Sequence, residues 1–183
     1  MIAVYARRSD TQAAEACCDL RKKGIPCILV GPEYGFTSVI ERVPFVFIGS
    51  GCEDLIQGFR GAIPTIKRIS DYALLTTDSL MDRFMTVYGI DYNNFTRGGI
   101  RFEGDRCYFF GNRIYLTAHE ELIVRHLALC GGNFFTAEEI AEFTLSGTPQ
   151  STTVHICNIN RKNRASVTEK IIYSKRYRGY YVK

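Results

Sequence analysis

A chain of 183 residues, 46% apolar and 23% charged with a formal charge of +4, is long enough for one or two domains with ordinary cores. That mixture excludes a disordered polypeptide, and no apolar run approaches the roughly 20 residues of a membrane-spanning helix. The charge is unevenly placed: residues 145–183 carry eight cations against the single acid Glu169, a net of +7, which leaves −3 for the rest of the chain.

The chain opens with an apolar run, Ile2 to Ala6, and only then Arg7 and Arg8. A secretory leader has its basic residues first and ends at a small-residue cleavage site, so the expected location is cytoplasmic, away from any membrane. A helix is predicted over Thr11–Lys23, with Ala13, Ala14, Cys17 and Leu20 apolar and Gly24 as its stop. Pro26–Val30 and Pro44–Ile48 read as two more buried strands. Gly49-Ser50-Gly51 then opens a helix that runs to Gly61. Pro64–Ile69 and Tyr72–Leu75 fit two further strands, and Asp78–Tyr88 fits an amphipathic helix. Short apolar strands separated by helices predict a parallel α/β sheet.

Two features of this half bear on function. Free N–H groups at Gly49, Ser50 and Gly51 could hold a phosphate or carboxylate, which would make the domain a small-molecule sensor. The third glycine of a dinucleotide-binding fingerprint is missing there. The seven cysteines (Cys17, Cys18, Cys27, Cys52, Cys107, Cys130 and Cys157) are odd in number and lack zinc-type pairs. They are expected as reduced thiols used as small hydrophobes. No metal and no cofactor is expected. No nucleophile, base and orienter can be assembled around the three histidines, so an enzyme is not expected either.

Gly89–Thr96 reads as a polar linker. Beyond it, Ile100–Phe102, Arg106–Phe110 and Arg113–Leu116 are separated by short turns, the pattern of an antiparallel meander. Thr117-Ala-His-Glu120 is a capping box for a helix carrying Ile123, Leu127 and Cys130, and Gly131-Gly132 stops it. Thr136-Ala-Glu-Glu139 is a second capping box, with Ile140 and Phe143 inward. Ser146–Pro149 is read as a turn, and a third helix starts at Gln150 or Ser151. At 100° per residue, Thr152, Ile156, Ile159 and Asn163 form its core stripe. The other side gathers Gln150, Ser151, Val154, Cys157, Asn158 and Arg161, flanked by Lys162 and Arg164. Amide and guanidinium groups on an outer helix face suit base edges in a major groove. Ile171–Tyr173 and Tyr180–Val182 close the chain as a hairpin whose tip carries Lys175, Arg176 and Arg178, placed to meet the DNA backbone or a minor groove.

The order and spacing of these pieces carry a resemblance. Leu116-Thr-Ala-His-Glu120, Val154-His-Ile156, Arg161-Lys162 and Gly179-Tyr180 together resemble the winged-helix output domain of OmpR/PhoB-class response regulators. The chain departs from that class at Asn158 and Asn160, where Arg is common, and at Tyr177, where Gly is common. The resemblance implies an N-terminal receiver. A working receiver needs acids after its first and third strands, a Thr or Ser after the fourth and a Lys after the fifth. Here Arg7, Gly49 and Thr76 or Thr77 stand at such places, and Asp10 and Asp54 read as helix caps.

The sequence thus predicts an α/β receiver-like domain over 1–90, degenerate and serving dimerisation or regulation. An α+β winged helix-turn-helix domain follows over 97–183. The expected function is sequence-specific regulation of transcription independent of phosphorylation. The expected partners are double-stranded promoter DNA, a second copy of the chain joined through Leu80, Met81, Phe84, Met85 and Tyr88, and RNA polymerase. The alternative is a regulator that senses an anionic ligand at Gly49–Gly51.

Overall fold

A computed structural model describes residues 2–22, 25–43, 45–49, 52, 66–68, 91–144, 147–164 and 168–183. The chain divides into two compact units, Met1–Thr77 and Asp78–Lys183.

Among the described residues, the first unit has four parallel strands: β1 (Ile2–Tyr5), β2 (Cys27–Val30), β3 (Phe45–Ile48) and β4 (Ile66–Arg68), in the order β2-β1-β3-β4. Ile2 faces Cys27 on one side and Phe45 on the other, and the register runs on to Tyr5 with Val30 and Ile48. A central parallel strand is covered on both faces, so its side chains need no polar alternation. All four residues of β1 are accordingly buried. Helix α1 (Thr11–Lys22) links β1 to β2 and buries Ala13, Cys17 and Leu20. Asp10 caps it, its carboxylate accepting the Ala13 N–H at 3.0 Å. The Cys17 and Cys27 sulfurs lie 2.9 Å apart between α1 and β2. A 310 helix, Thr37–Arg42, fills the connection from β2 to β3. The helix expected after Gly49, the strand at Tyr72–Leu75 and the helix at Asp78–Tyr88 lie outside the described residues.

The second unit begins with an antiparallel platform: β5 (Asn94–Arg97), β6 (Ile100–Glu103), β7 (Arg106–Phe109) and β8 (Asn112–Ile114). Alternation sets its faces: Ile100, Phe102, Cys107, Phe109 and Ile114 point into the core, and Arg101 and Arg113 point outward. The stretch Gly89–Thr96, expected as a linker, differs from the structure at its end. β5 starts at Asn94 and Tyr92 is buried, so the platform begins before residue 97. The polar residues misled because an edge strand can keep a polar outer face. Here Asn94 faces Glu103 and Thr96 faces Arg101.

Three helices follow: α2 (Ala118–Leu129), α3 (Ala137–Thr144) and α4 (Pro149–Arg164). Pro149, read as part of a turn, is the first residue of α4, where its missing N–H costs nothing. Arg125 joins helix to platform. It is buried, and its guanidinium donates to the Tyr92 carbonyl at 2.6 Å, the Gly104 carbonyl at 2.8 Å and the Glu121 carboxylate at 2.7 Å, over the Phe102 ring at 4.0 Å. Strands β9 (Tyr173–Lys175) and β10 (Gly179–Tyr181) form the terminal hairpin. No described helix is long and apolar enough to cross a membrane.

Candidate nucleic-acid interface

Helix α4 is fixed from its N-terminus. The Thr148 hydroxyl accepts the Ser151 N–H at 3.2 Å, and the Ser151 hydroxyl accepts the Thr148 N–H at 3.0 Å. These reciprocal bonds satisfy groups that the first turn leaves free. They also commit the Ser151 hydroxyl, which the sequence had placed among the DNA contacts. Thr152, Ile156, Ile159 and Asn163 are the buried residues of α4, the four assigned to the core stripe. On the other side Gln150, Cys157, Arg161 and Arg164 are exposed, Asn158 is half-buried, and Val154 is 59% exposed. An aliphatic side chain so exposed on a polar helix face is available to a thymine methyl group.

Lys162 departs from the expected outer row. Its ammonium turns to Glu120 at 2.6 Å, a carboxylate that is itself buried. The same Glu120 oxygen accepts the Thr117 N–H at 2.7 Å, and Glu120 N–H reaches the Thr117 hydroxyl at 3.4 Å. The capping box of α2 is therefore also a tie to α4. Burial works to raise the Glu120 carboxyl, but the hydrogen bonds from Lys162 and Thr117 outweigh it and hold the group below the usual carboxylate range. The second capping box is present as expected: Thr136 N–H donates to Glu139 at 2.9 Å, and Glu139 N–H to the Thr136 hydroxyl at 3.2 Å.

Asn160 is a residue whose part the sequence did not reveal. Its amide donates to the Ile172 carbonyl at 2.8 Å, and its oxygen accepts the N–H groups of Ile171 and Ile172, each at 3.1 Å. Ile171 and Ile172 are buried by this attachment and precede the hairpin, which starts at Tyr173 and not at Ile171 as expected. The signal was present: an Asn replaces the Arg common in the resembled class, beside a buried stripe. It could not be read without knowing what lies opposite.

The hairpin, or wing, is held at its base. Phe135 and Tyr180 exchange backbone bonds of 2.9 and 2.8 Å. The strands can approach only because residue 179 has no side chain: its φ is +102°, and a Cβ there would lie 2.2 Å from the Phe135 oxygen. Thr153 on α4 meets the Tyr180 hydroxyl at 3.4 Å. Lys175, Arg176 and Arg178 are all exposed, with the Arg178 guanidinium 4.3 Å over the Phe134 ring and Arg176 4.8 Å over Tyr177.

No protein-family profile matches the chain, and no curated protein matches it. Its solved neighbours include response regulators. The chain is similar over its whole length to the response regulator DrrB, a Thermotoga maritima OmpR/PhoB homolog, at 14% identity and a TM-score of 0.45, covering 98% of that chain. A structure from a family of redox sensors in the streptococci, evolved from two-component response regulators, is matched over all of this chain and 99% of its own, at 12% identity and a TM-score of 0.43. The DNA-binding domain of CpxR from E. coli is matched over 49% of this chain and 94% of its own, at 20% identity and a TM-score of 0.39.

In the N-terminal unit, β1 is followed by Arg7 and Arg8, both exposed. Asp10 is engaged as the α1 cap. Gly49 donates its N–H to the Tyr5 carbonyl at 2.7 Å, so the first donor of the Gly49–Gly51 turn is used by the sheet. Ser50 and Gly51 lie outside the described residues, as do Thr76, Thr77, Asp54 and the expected interface residues Leu80, Met81, Phe84, Met85 and Tyr88. Among the described residues no group of three or more His, Cys, Asp or Glu could hold a metal ion.

Proposed function

We propose that the chain is a double-stranded-DNA-binding regulator of transcription in which α4 enters the major groove and the wing follows the adjacent backbone. The observation that carries this is the division of α4 into a buried stripe and an outer face bearing Gln150, Val154, Asn158, Arg161 and Arg164. The cationic wing is attached beside it through Asn160 and the Thr153–Tyr180 contact. The +7 of residues 145–183 supplies the attraction to phosphates. Asn158 and Arg161 read bases. Lys175, Arg176 and Arg178 hold the backbone, with Arg164 at the end of the helix.

In this reading the regulator acts without phosphorylation, because Arg7 and Gly49 stand where the acids of a receiver belong. It works in the cytoplasm as a homodimer joined through its N-terminal half and addresses RNA polymerase at promoters. The test is duplex binding by the full chain at rising salt. If about six phosphates are contacted, affinity falls about 10³-fold between 50 and 200 mM salt. Arg161→Ala costs about 1–3 kcal/mol and relaxes preference at one base pair. Salt-independent binding, or none at 50 mM, overturns the reading. Sedimentation of the full chain as a monomer at micromolar concentration, or a stable phosphoryl group after treatment with a small phosphodonor and magnesium, overturns its finer parts.

A further inference from the structure

Among the described residues, four large apolar or aromatic side chains stand exposed: Phe110, Tyr115, Val154 and Tyr177. Three have a setting that accounts for them. Phe110 also has a left-handed backbone, with φ of +46°, but its ring fills the space over Gly99 and leans on Phe109 at 4.5 Å. Tyr115, with the Arg113 guanidinium at 4.7 Å, is not left-handed, and Val154 lies on the outer face of α4. Tyr177 is different. It is 90% exposed, the most of the four, and sits at the tip of the wing between Arg176 and Arg178. Its backbone is left-handed, with φ of +63°. A bulky side chain in that region is an outlier, because Cβ crowds the following carbonyl.

Both properties are unfavourable, and among the described residues no burial of the ring offsets them. The turn closes through Arg178 N–H on the Lys175 carbonyl at 3.0 Å, a bond that any residue at 177 allows. Among the described residues, the ring contact of Tyr177 is Arg176, 4.8 Å from its centroid. Glycine would remove the strain and the exposed ring together. A strained, exposed aromatic at the end of a rigidly held arm marks a contact with something outside the chain. The arm defines the chemistry: exposed Lys175, Arg176 and Arg178 give the tip its positive charge, Arg176 lies beside the ring, and the Phe135–Tyr180 and Thr153–Tyr180 contacts fix the arm beside α4.

We propose that Tyr177 is a minor-groove wedge. With α4 in the major groove, the tip of the wing reaches the neighbouring minor groove, where Arg176 and its neighbours are drawn to the negative potential of a narrow A·T-rich segment. The Tyr177 ring packs on the sugars and partly unstacks a base step there. Tyr177 thereby adds preference for a deformable A·T-rich flank next to the bases that α4 reads. This rests on the DNA-binding reading above. It adds an aromatic contact at a position where the cationic residues alone would serve for backbone attachment.

The experiment uses the full chain and a duplex that the wild-type protein selects from a random-sequence pool. Tyr177→Gly is expected to melt at the wild-type temperature or a few degrees above it, since it relieves the left-handed strain, while its affinity falls about tenfold. Tyr177→Phe keeps the ring and binds as the wild type does. Netropsin, which fills A·T minor grooves, lowers wild-type affinity and abolishes the difference between wild type and Tyr177→Gly. Equal affinity of Tyr177→Gly and wild type overturns the wedge and leaves the ring to a protein partner. A difference that survives netropsin, or a fall of Tyr177→Phe to the glycine level, overturns it as well. Failure of the wild type to select any duplex at 50 mM salt strikes instead at the DNA-binding reading, so the two failures are told apart.

Discussion

The two sheets of this chain are stabilised in different ways. The parallel sheet of the first unit is an apolar layer: Ile2, Ala3, Val4, Ile28, Val30, Val46 and Phe47 are all buried. The antiparallel platform of the second unit has an apolar face too, but polar side chains with specific partners fix its position. Arg125 bonds two backbone carbonyls and Glu121. Glu120 ties α2 to α4, and Asn160 ties α4 to the approach to the wing. Apolar burial is non-directional, so it gathers elements without fixing their angle closely. Hydrogen bonds to backbone groups do fix it. Among the described residues such contacts gather in the second unit, which carries the polar outer face of α4, while in the first Arg21 donates to the Cys27 carbonyl of β2.

The largest expected effect tests that contrast at Arg125. Arg125→Met keeps much of the volume but leaves the Tyr92 and Gly104 carbonyls without their donor and Glu121 without its cation. It should destabilise the second unit by about 3–5 kcal/mol, measured by urea unfolding with circular dichroism. A neutral or stabilising result would show the platform to be held by apolar packing, as the parallel sheet is.

A smaller effect depends on pH. The folded-state pKa of Glu120 is depressed. Its contribution is therefore fully present above the pKa of the unfolded carboxyl, about 4.3, and is lost as pH falls through the lower folded value. Glu120→Gln should cost about 1 kcal/mol at pH 7, and the gap from wild type should narrow below pH 4. Melting temperatures across pH 3–7 check both, and a gap that widens in acid contradicts the assignment. Similar in stability but smallest in its effect on binding is Ile28→Val in the parallel sheet, about 1 kcal/mol with no change in DNA affinity. A loss of affinity there would mean that the two units are not independent in binding.

The parts of the second unit that repeat a local rule were legible in the sequence. Thr117 and Glu120, Thr136 and Glu139, and the stripe Thr152, Ile156, Ile159 and Asn163 each depend on neighbours a few residues away, and each stands where the spacing put it. Asn160 and Lys162 were not legible, because their partners lie 12 and 42 residues distant. A long cation on a helix looks solvent-facing until a buried carboxylate is found opposite it. The edge strand β5 was hidden for a related reason: with one face on solvent, Asn94 and Thr96 gave it the composition of a linker. In the first unit the parallel order of strands followed from buried runs between helices, whereas the 310 segment Thr37–Arg42 has no strong periodic signal.

Residue 179 has a consequence in genetic terms. Every missense change at a glycine codon adds at least a Cβ, and here that atom would fall 2.2 Å from the Phe135 oxygen and 2.6 Å from its carbonyl carbon. The position has no conservative replacement. In a saturation mutagenesis library it should behave as a binary site, glycine or loss of the attached wing. Two codons upstream, position 177 should accept glycine and asparagine without harm to folding.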